Sequence, residues 1–191
     1  MEQLFQMAPK NTKRNTAEKK GSIMSVFFNN PSKTFHLREI SRITKIPAST
    51  ASRLIKDIIK NNLIIKKRQK PILELEANLE SNEFIREKKK FNIGQIEKSG
   101  IVDFLVSKYN EPEAIVLFGS YSRGEDIERS DIDIILITTK QKNPEISKFE
   151  KILGRKIHLL EISYKDIKKE LFNNLINGVI LYGYLKLGEE K

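Results

Sequence analysis

The run Ala114-Ile115-Val116-Leu117-Phe118-Gly119-Ser120 is followed, after ten residues, by Asp131-Ile132-Asp133-Ile134-Ile135-Leu136-Ile137, and this pair of segments decides the fold. Each carries a short apolar run rich in β-branched residues, the pattern of a strand buried on both faces. Residues two apart on a strand share a face, so Asp131 and Asp133 present paired carboxylates while Ile132 and Ile134 turn into the core. Two acids on one face of an apolar strand need a cation, and with oxygen donors alone Mg²⁺ is the first choice, held by few carboxylates plus substrate phosphates. Gly119 lets the backbone approach a phosphate closely, and Ser120 offers both its N–H and its hydroxyl to the same oxygen. The pattern predicts strand, phosphate-gripping turn, then a second strand that carries metal ligands.

Composition bounds what surrounds that core. A chain of 191 residues buries one ordinary core or two small ones. With 39% hydrophobic and 31% charged residues it is neither disordered nor fibrous, and no apolar run approaches the ~18 residues of a membrane span. Met1 to Asn15 has no apolar h-region, so the expectation is a cytoplasmic chain with no membrane partner. There is no cysteine, which excludes disulfides and Cys-based zinc sites, and His36 and His158 are the two histidines. Any metal is therefore held mainly by carboxylates.

The formal charge of +10 is unevenly placed. Residues 1–91 hold 20 Lys+Arg against 9 Asp+Glu, net +11, while residues 92–191 hold 15 against 16, net −1. The basic half suggests a nucleic-acid or acidic-surface partner. Residues 1–21 read as a loose basic arm, followed by a short helix over Ile23–Phe28 that Asn29-Asn30-Pro31 ends. Leu37, Ile40 and Ile43 recur at helical spacing, and Pro47 suits the first turn of a further helix in which Ala51, Leu54, Ile55, Ile58 and Ile59 form one apolar stripe. Asn62 can take the left-handed conformation that closes it. Leu63–Arg68 and Ile72–Glu76 then read as two short strands around Gln69-Lys70-Pro71.

A helix-turn-helix followed by a basic hairpin resembles a winged helix-turn-helix over about residues 22–76. The resemblance implies that the helix from Pro47 to Asn61 enters the DNA major groove and the Lys66–Lys70 wing touches backbone or minor groove. Arg53, Lys56, Lys60, Lys66, Lys67, Arg68 and Lys70 are then mainly phosphate contacts, and Ser49, Thr50, Ser52 and Arg53 the base readers. A winged helix used for protein contact is the alternative. Residues 77–92 read as a charged, solvated connecting helix, and Ile93, Ile96, Gly100, Ile101, Phe104, Leu105 and Tyr109 trace a helix that packs on a second domain, stopped at Glu111-Pro112.

The block from Leu117 through Asp133, with Gly-Ser, ten residues and Asp-x-Asp, resembles the nucleotidyltransferase superfamily that includes DNA polymerase β, and above all the minimal nucleotidyltransferases. That resemblance spans about residues 93–187. It implies transfer of a nucleoside monophosphate from a nucleoside triphosphate to an acceptor hydroxyl. Gly119 and Ser120 hold the triphosphate, and Asp131 and Asp133 bind two Mg²⁺ ions that steady the attacking and leaving oxygens. Arg123 reads either as a phosphate-neutralising cation or as a solvated loop residue. The family carries a third acid on a later strand, and in Arg155–Glu161 its position falls on His158. A neutral imidazole is a poor Mg²⁺ ligand but a competent general base near pH 7. Glu161, three residues on, faces the other way. Either His158 does base chemistry, or the acceptor site is altered, or the domain binds nucleotide without turnover.

Ile167, Leu171, Leu175 and Ile176 complete the chain with a helical stripe, and Val179–Tyr182 with an apolar segment. The expectation is an α+β protein: a basic arm (1–21), a winged helix-turn-helix (22–76), a connecting helix (77–92) and a nucleotidyltransferase domain with a mixed sheet flanked by helices (93–187). The expected activity is Mg²⁺-dependent nucleotidyl transfer, ATP first among donors. Its acceptor is open between a protein, a small molecule and a nucleic acid, with a protein first because the minimal nucleotidyltransferases that it resembles include antitoxins that adenylylate a partner toxin. DNA is a further partner, and a homodimer is compatible with the winged helix. The competing expectation is a DNA-binding regulator whose second domain binds nucleotide or a partner without turnover.

Overall fold

The computed structural model describes residues 15–69 and 72–186. The first fourteen residues of the expected arm, Lys70 of the expected wing and Leu187 lie outside the described residues, as does the side chain of Arg68.

Helix α1 (Thr16–Asn29) starts seven residues before the helix that apolar periodicity marks at Ile23. A reciprocal cap sets the true start: the Glu18 amide donates to Asn15 Oδ1 at 2.8 Å and the Asn15 amide to Glu18 Oε2 at 3.1 Å. Residues 16–21, expected in the arm, are therefore helical. After the two-residue strand β1 (Phe35–His36) come α2 (Leu37–Thr44) and α3 (Ala48–Lys60), with Pro47 at the N-cap of α3. Ala51, Leu54, Ile55 and Ile58 are buried as their spacing predicts, and Asn62 is left-handed at φ 55°. In α2 the apolar stripe is narrower than expected: Ile40 is buried and Ile43 is exposed.

Strands β2 (Ile64–Gln69) and β3 (Ile72–Ala77) form an antiparallel hairpin, and β1 adds to β3 in the order β1-β3-β2. One hydrophobic cluster joins α1–α3 to this sheet and takes in Phe84 from the next helix. Phe27 meets Phe35 edge-on at 5.3 Å, and Phe28 lies 5.3 Å from Phe84 and 5.2 Å from Phe91.

Helix α4 (Asn82–Ser99) runs from the charged stretch through Ile93 and Ile96 and ends at Gly100, where α5 (Ile101–Tyr109) begins. The expected solvated face is only part of it. Phe84, Lys88, Asn92 and Ile96, four residues apart, are all buried. The expected single helix from Ile93 to Tyr109 is two helices, because Gly100 (φ 75°) turns the chain.

Strand β4 (Ala114–Phe118) leads into the short helix α6 (Gly119–Arg123), then β5 (Ile132–Ile137), α7 (Ser147–Leu153), β6 (Ile157–Ile162), a 3₁₀ turn at Tyr164–Asp166, α8 (Lys169–Ile176) and β7 (Val179–Gly183). The sheet order is β6-β5-β4-β7, with β4 antiparallel to β5 and β7, and β5 parallel to β6, a mixed sheet flanked by helices. Ile115, Leu117, Ile132, Ile134 and Leu136 face α5 and α7, while Ala114, Val116, Ile135 and Ile137 meet Leu175 of α8 on the other face. Burial on both faces explains the uninterrupted apolar runs of β4 and β5. Among the described residues no helix is long and apolar enough to cross a membrane.

Candidate active site

The end of β4 and the start of β5 are neighbours, and Phe118 pairs with Asp133 in the antiparallel register. At Gly119 the backbone turns at φ 72°, and a Cβ built there would overlap Asp133 Oδ2. A side chain here would be strained by the left-handed backbone and would have to displace the Asp133 carboxylate, so the glycine read from sequence as a phosphate approach also makes room for Asp133. The Ser122 hydroxyl donates to the Gly119 carbonyl at 2.8 Å and the Glu125 amide to the Ser120 carbonyl at 3.0 Å, which closes the turn. Ser120 remains partly exposed.

Asp131 stands immediately before β5 and is exposed; Asp133 is half-buried within it. The Ile132 amide donates to the Lys156 carbonyl at 2.9 Å, anchoring the strand between the two acids. In the parallel register Asp133 lies beside His158, whose Nδ1 is 3.5 Å from Asp133 Oδ1 while 67% of the imidazole side chain remains exposed. Glu161 faces away, as its spacing predicts: its carboxylate accepts from the amides of Lys142 and Asn143 at 2.7 and 2.8 Å. Arg123 directs its Nε to Glu125 Oε2 at 2.7 Å, an exposed pair. The structure thus gathers Gly119, Ser120, Asp133 and His158, with Asp131 two residues from Asp133, and leaves Arg123 engaged with its own loop.

Among the described residues no group of three His, Cys, Asp or Glu side chains is placed to hold a metal. Asp131 and Asp133 nonetheless carry hard oxygen donors of the kind Mg²⁺ takes, Asp131 exposed and the Asp133 side chain 27% exposed.

Sequence reasoning missed what lies beneath the loop. Asp126 is fully buried, paired with Lys88 Nζ at Oδ1 and with Arg155 Nη2 at Oδ2, the latter at 2.9 Å with an angle short of a hydrogen bond. Asn92 Nδ2 donates to Asp126 Oδ1 at 2.7 Å and to the Tyr121 carbonyl at 2.9 Å. Burial is the main force holding the Lys88 ammonium below its ordinary range, against the pull of Asp126. The four-residue spacing of Phe84, Lys88, Asn92 and Ile96 was the available signal, hidden because Lys88 stands in a run of charges.

The mixed sheet lies within the segment 100–185, which matches the polymerase beta nucleotidyltransferase family. Over 82 residues the chain is 39% identical to a protein of Methanocaldococcus jannaschii that bears the name of a protein adenylyltransferase, covering 38% of this chain and 81% of that relative. The chain belongs to the polymerase beta nucleotidyltransferase family.

Proposed function

We propose that the chain transfers a nucleoside monophosphate, adenylyl from ATP first among donors, to an acceptor hydroxyl on a protein. The carrying observation is the contact of Gly119 with Asp133: a turn able to grip phosphate abuts a carboxylate able to hold Mg²⁺. The choice of ATP and of a protein acceptor is supported by the name of the Methanocaldococcus relative. The antitoxin version, in which the acceptor is a toxin, is the narrowest form of the same reading.

In this scheme the Gly119 and Ser120 amides and the Ser120 hydroxyl bind the triphosphate. The acceptor oxygen bonds to the α-phosphorus, the bond to the bridging oxygen breaks, and pyrophosphate leaves. Asp131 and Asp133 would hold Mg²⁺, which when bound would supply charge neutralisation for the triphosphate. In this reading His158, with Nδ1 3.5 Å from Asp133 Oδ1 and its side chain 67% exposed, is the base that takes the acceptor proton. Titration with ATP and Mg²⁺ checks the first step: the wild type binds and Asp131→Ala loses at least tenfold in affinity, whereas equal affinity contradicts the assignment.

The N-terminal half joins this activity to DNA. The element order α1-β1-α2-α3-β2-β3 supports the winged helix-turn-helix reading. Ser49, Arg53, Lys56, Lys60 and Lys66 are exposed, with Thr50 and Ser52 partly so. Lys67, expected on phosphate, is paired with Glu76 at 3.3 Å, which weakens its share. A second reading, regulation by bound nucleotide without turnover, is favoured by His158 standing beside Asp133 where a third acid would serve metal. It predicts ATP binding with no transfer under any acceptor.

A further inference from the structure

The family match begins at residue 100, yet the loop that carries the site is held from α4, which ends at Ser99. Lys88 and Asp126 have side chains 1% and 0% exposed. Lys88 Nζ donates to Asp126 Oδ1 and, at 2.5 Å, to the Asp126 carbonyl. Asn92 reaches both the same carboxylate and the Tyr121 carbonyl. From the turn between α7 and β6, Arg155 Nη1 donates to the carbonyls of Ile127 and, at 2.9 Å, Ser130. Every acceptor lies between residues 121 and 130, the segment separating Ser120 from Asp131. The backbones also meet: a Cβ at Gly124 (φ 77°) would come within 2.5 Å of the Ile85 carbonyl oxygen and 2.8 Å of the Lys89 nitrogen.

Buried ion clusters contribute little net stability compared with apolar packing, so their placement argues for what they orient. Here two cations and an amide converge on one carboxylate in an irregular loop whose two ends are the phosphate turn and the metal acids. We propose that Lys88 and Asn92 of α4 are positioning residues for nucleotidyl transfer, fixing Asp126 and, through it, the spacing between Gly119-Ser120 and Asp131-Asp133. The role rests on the nucleotidyl-transfer reading, and it makes the matched segment dependent on a helix outside it. The same helix packs Phe84 and Phe91 on Phe28 of α1, so its register is set by the N-terminal core.

The test uses the full chain in two variants. Lys88→Met leaves a charge-balanced Asp126–Arg155 pair, and Asn92→Ala leaves the ions in place while removing the two amide bonds. Hydrogen exchange and Mg²⁺·ATP affinity are measured on both and on the wild type. The proposal expects amide exchange to quicken about tenfold or more within residues 119–131, with β4, β5 and α1–α3 unchanged, and affinity to fall by about tenfold to a hundredfold. Wild-type exchange in the loop of both variants, or acceleration spread evenly over the molecule, overturns it. Loop-confined acceleration with wild-type Mg²⁺·ATP affinity overturns the positioning role alone, whereas loop-confined acceleration with no Mg²⁺·ATP binding even by the wild type overturns the nucleotidyl-transfer reading on which the role rests.

Discussion

Replacing a hydrogen of Gly119 by a methyl group would put carbon onto Asp133 Oδ2 and hold an L residue at φ 72°. The left-handed backbone alone costs about 1–2 kcal/mol, before the carboxylate has moved. Gly119→Ala is expected to lower the thermal midpoint and to weaken Mg²⁺·ATP binding by more than tenfold, read by thermal denaturation and titration. Tyr121, two residues on, is buried beside Arg155, whose guanidinium carbon is 5.5 Å from the ring centroid. Burial first, and then the Asp126 charge, push its phenol from 10.0 up to about 12. A raised phenol favours the folded state while neutral, so this stability is complete below pH 10 and is lost as pH rises through 12. Denaturant midpoints followed from pH 9 to 12 should fall by the equivalent of up to about 2 kcal/mol, and Tyr121→Phe should flatten that fall.

At the scale of elements, α4 decides how firmly the loop after α6 is held. Asp126→Asn takes from Lys88 and Arg155 the buried carboxylate they share, leaving only the more distant Glu128, and urea denaturation should show a loss of about 3–5 kcal/mol. This helix also marks where sequence reading stops. Ala51, Leu54, Ile55 and Ile58, or the runs of β4 and β5, announce themselves because apolar side chains repeat with the period of their element. The inner face of α4 does not, because Lys88 and Asn92 on that face are polar and find partners some thirty residues later. A buried charge is legible only once its counter-charge is placed. The start of α1 was open to inspection, by contrast, in Asn15 and Glu18, and was obscured by the basic residues around it.

For the whole molecule, the split in charge matches a split in structure: the basic half builds the α1–α3 core with its three-stranded sheet, and the near-neutral half builds the mixed sheet. The Gly-Ser and Asp-x-Asp segments come together because they stand at the adjoining ends of β4 and β5, strands that pair directly. Spacing says nothing of how a third element approaches, which is why the 3.5 Å relation of His158 to Asp133 emerges only from the parallel pairing of β5 and β6. If the basic half reads DNA, affinity falls as salt rises, and Lys56→Ala should reduce the slope of log affinity against log salt by about one, measured by fluorescence anisotropy. Asp131→Ala should leave that slope unchanged. The central claim, nucleotidyl transfer at the β4–β5 junction, is tested most directly by supplying ATP labelled at either the α- or the γ-phosphate with Mg²⁺ and cellular protein acceptors. Label from the α position alone should become protein-bound in the wild type and vanish in Asp131→Ala; transfer from the γ position, or α transfer that survives in Asp131→Ala, would contradict it.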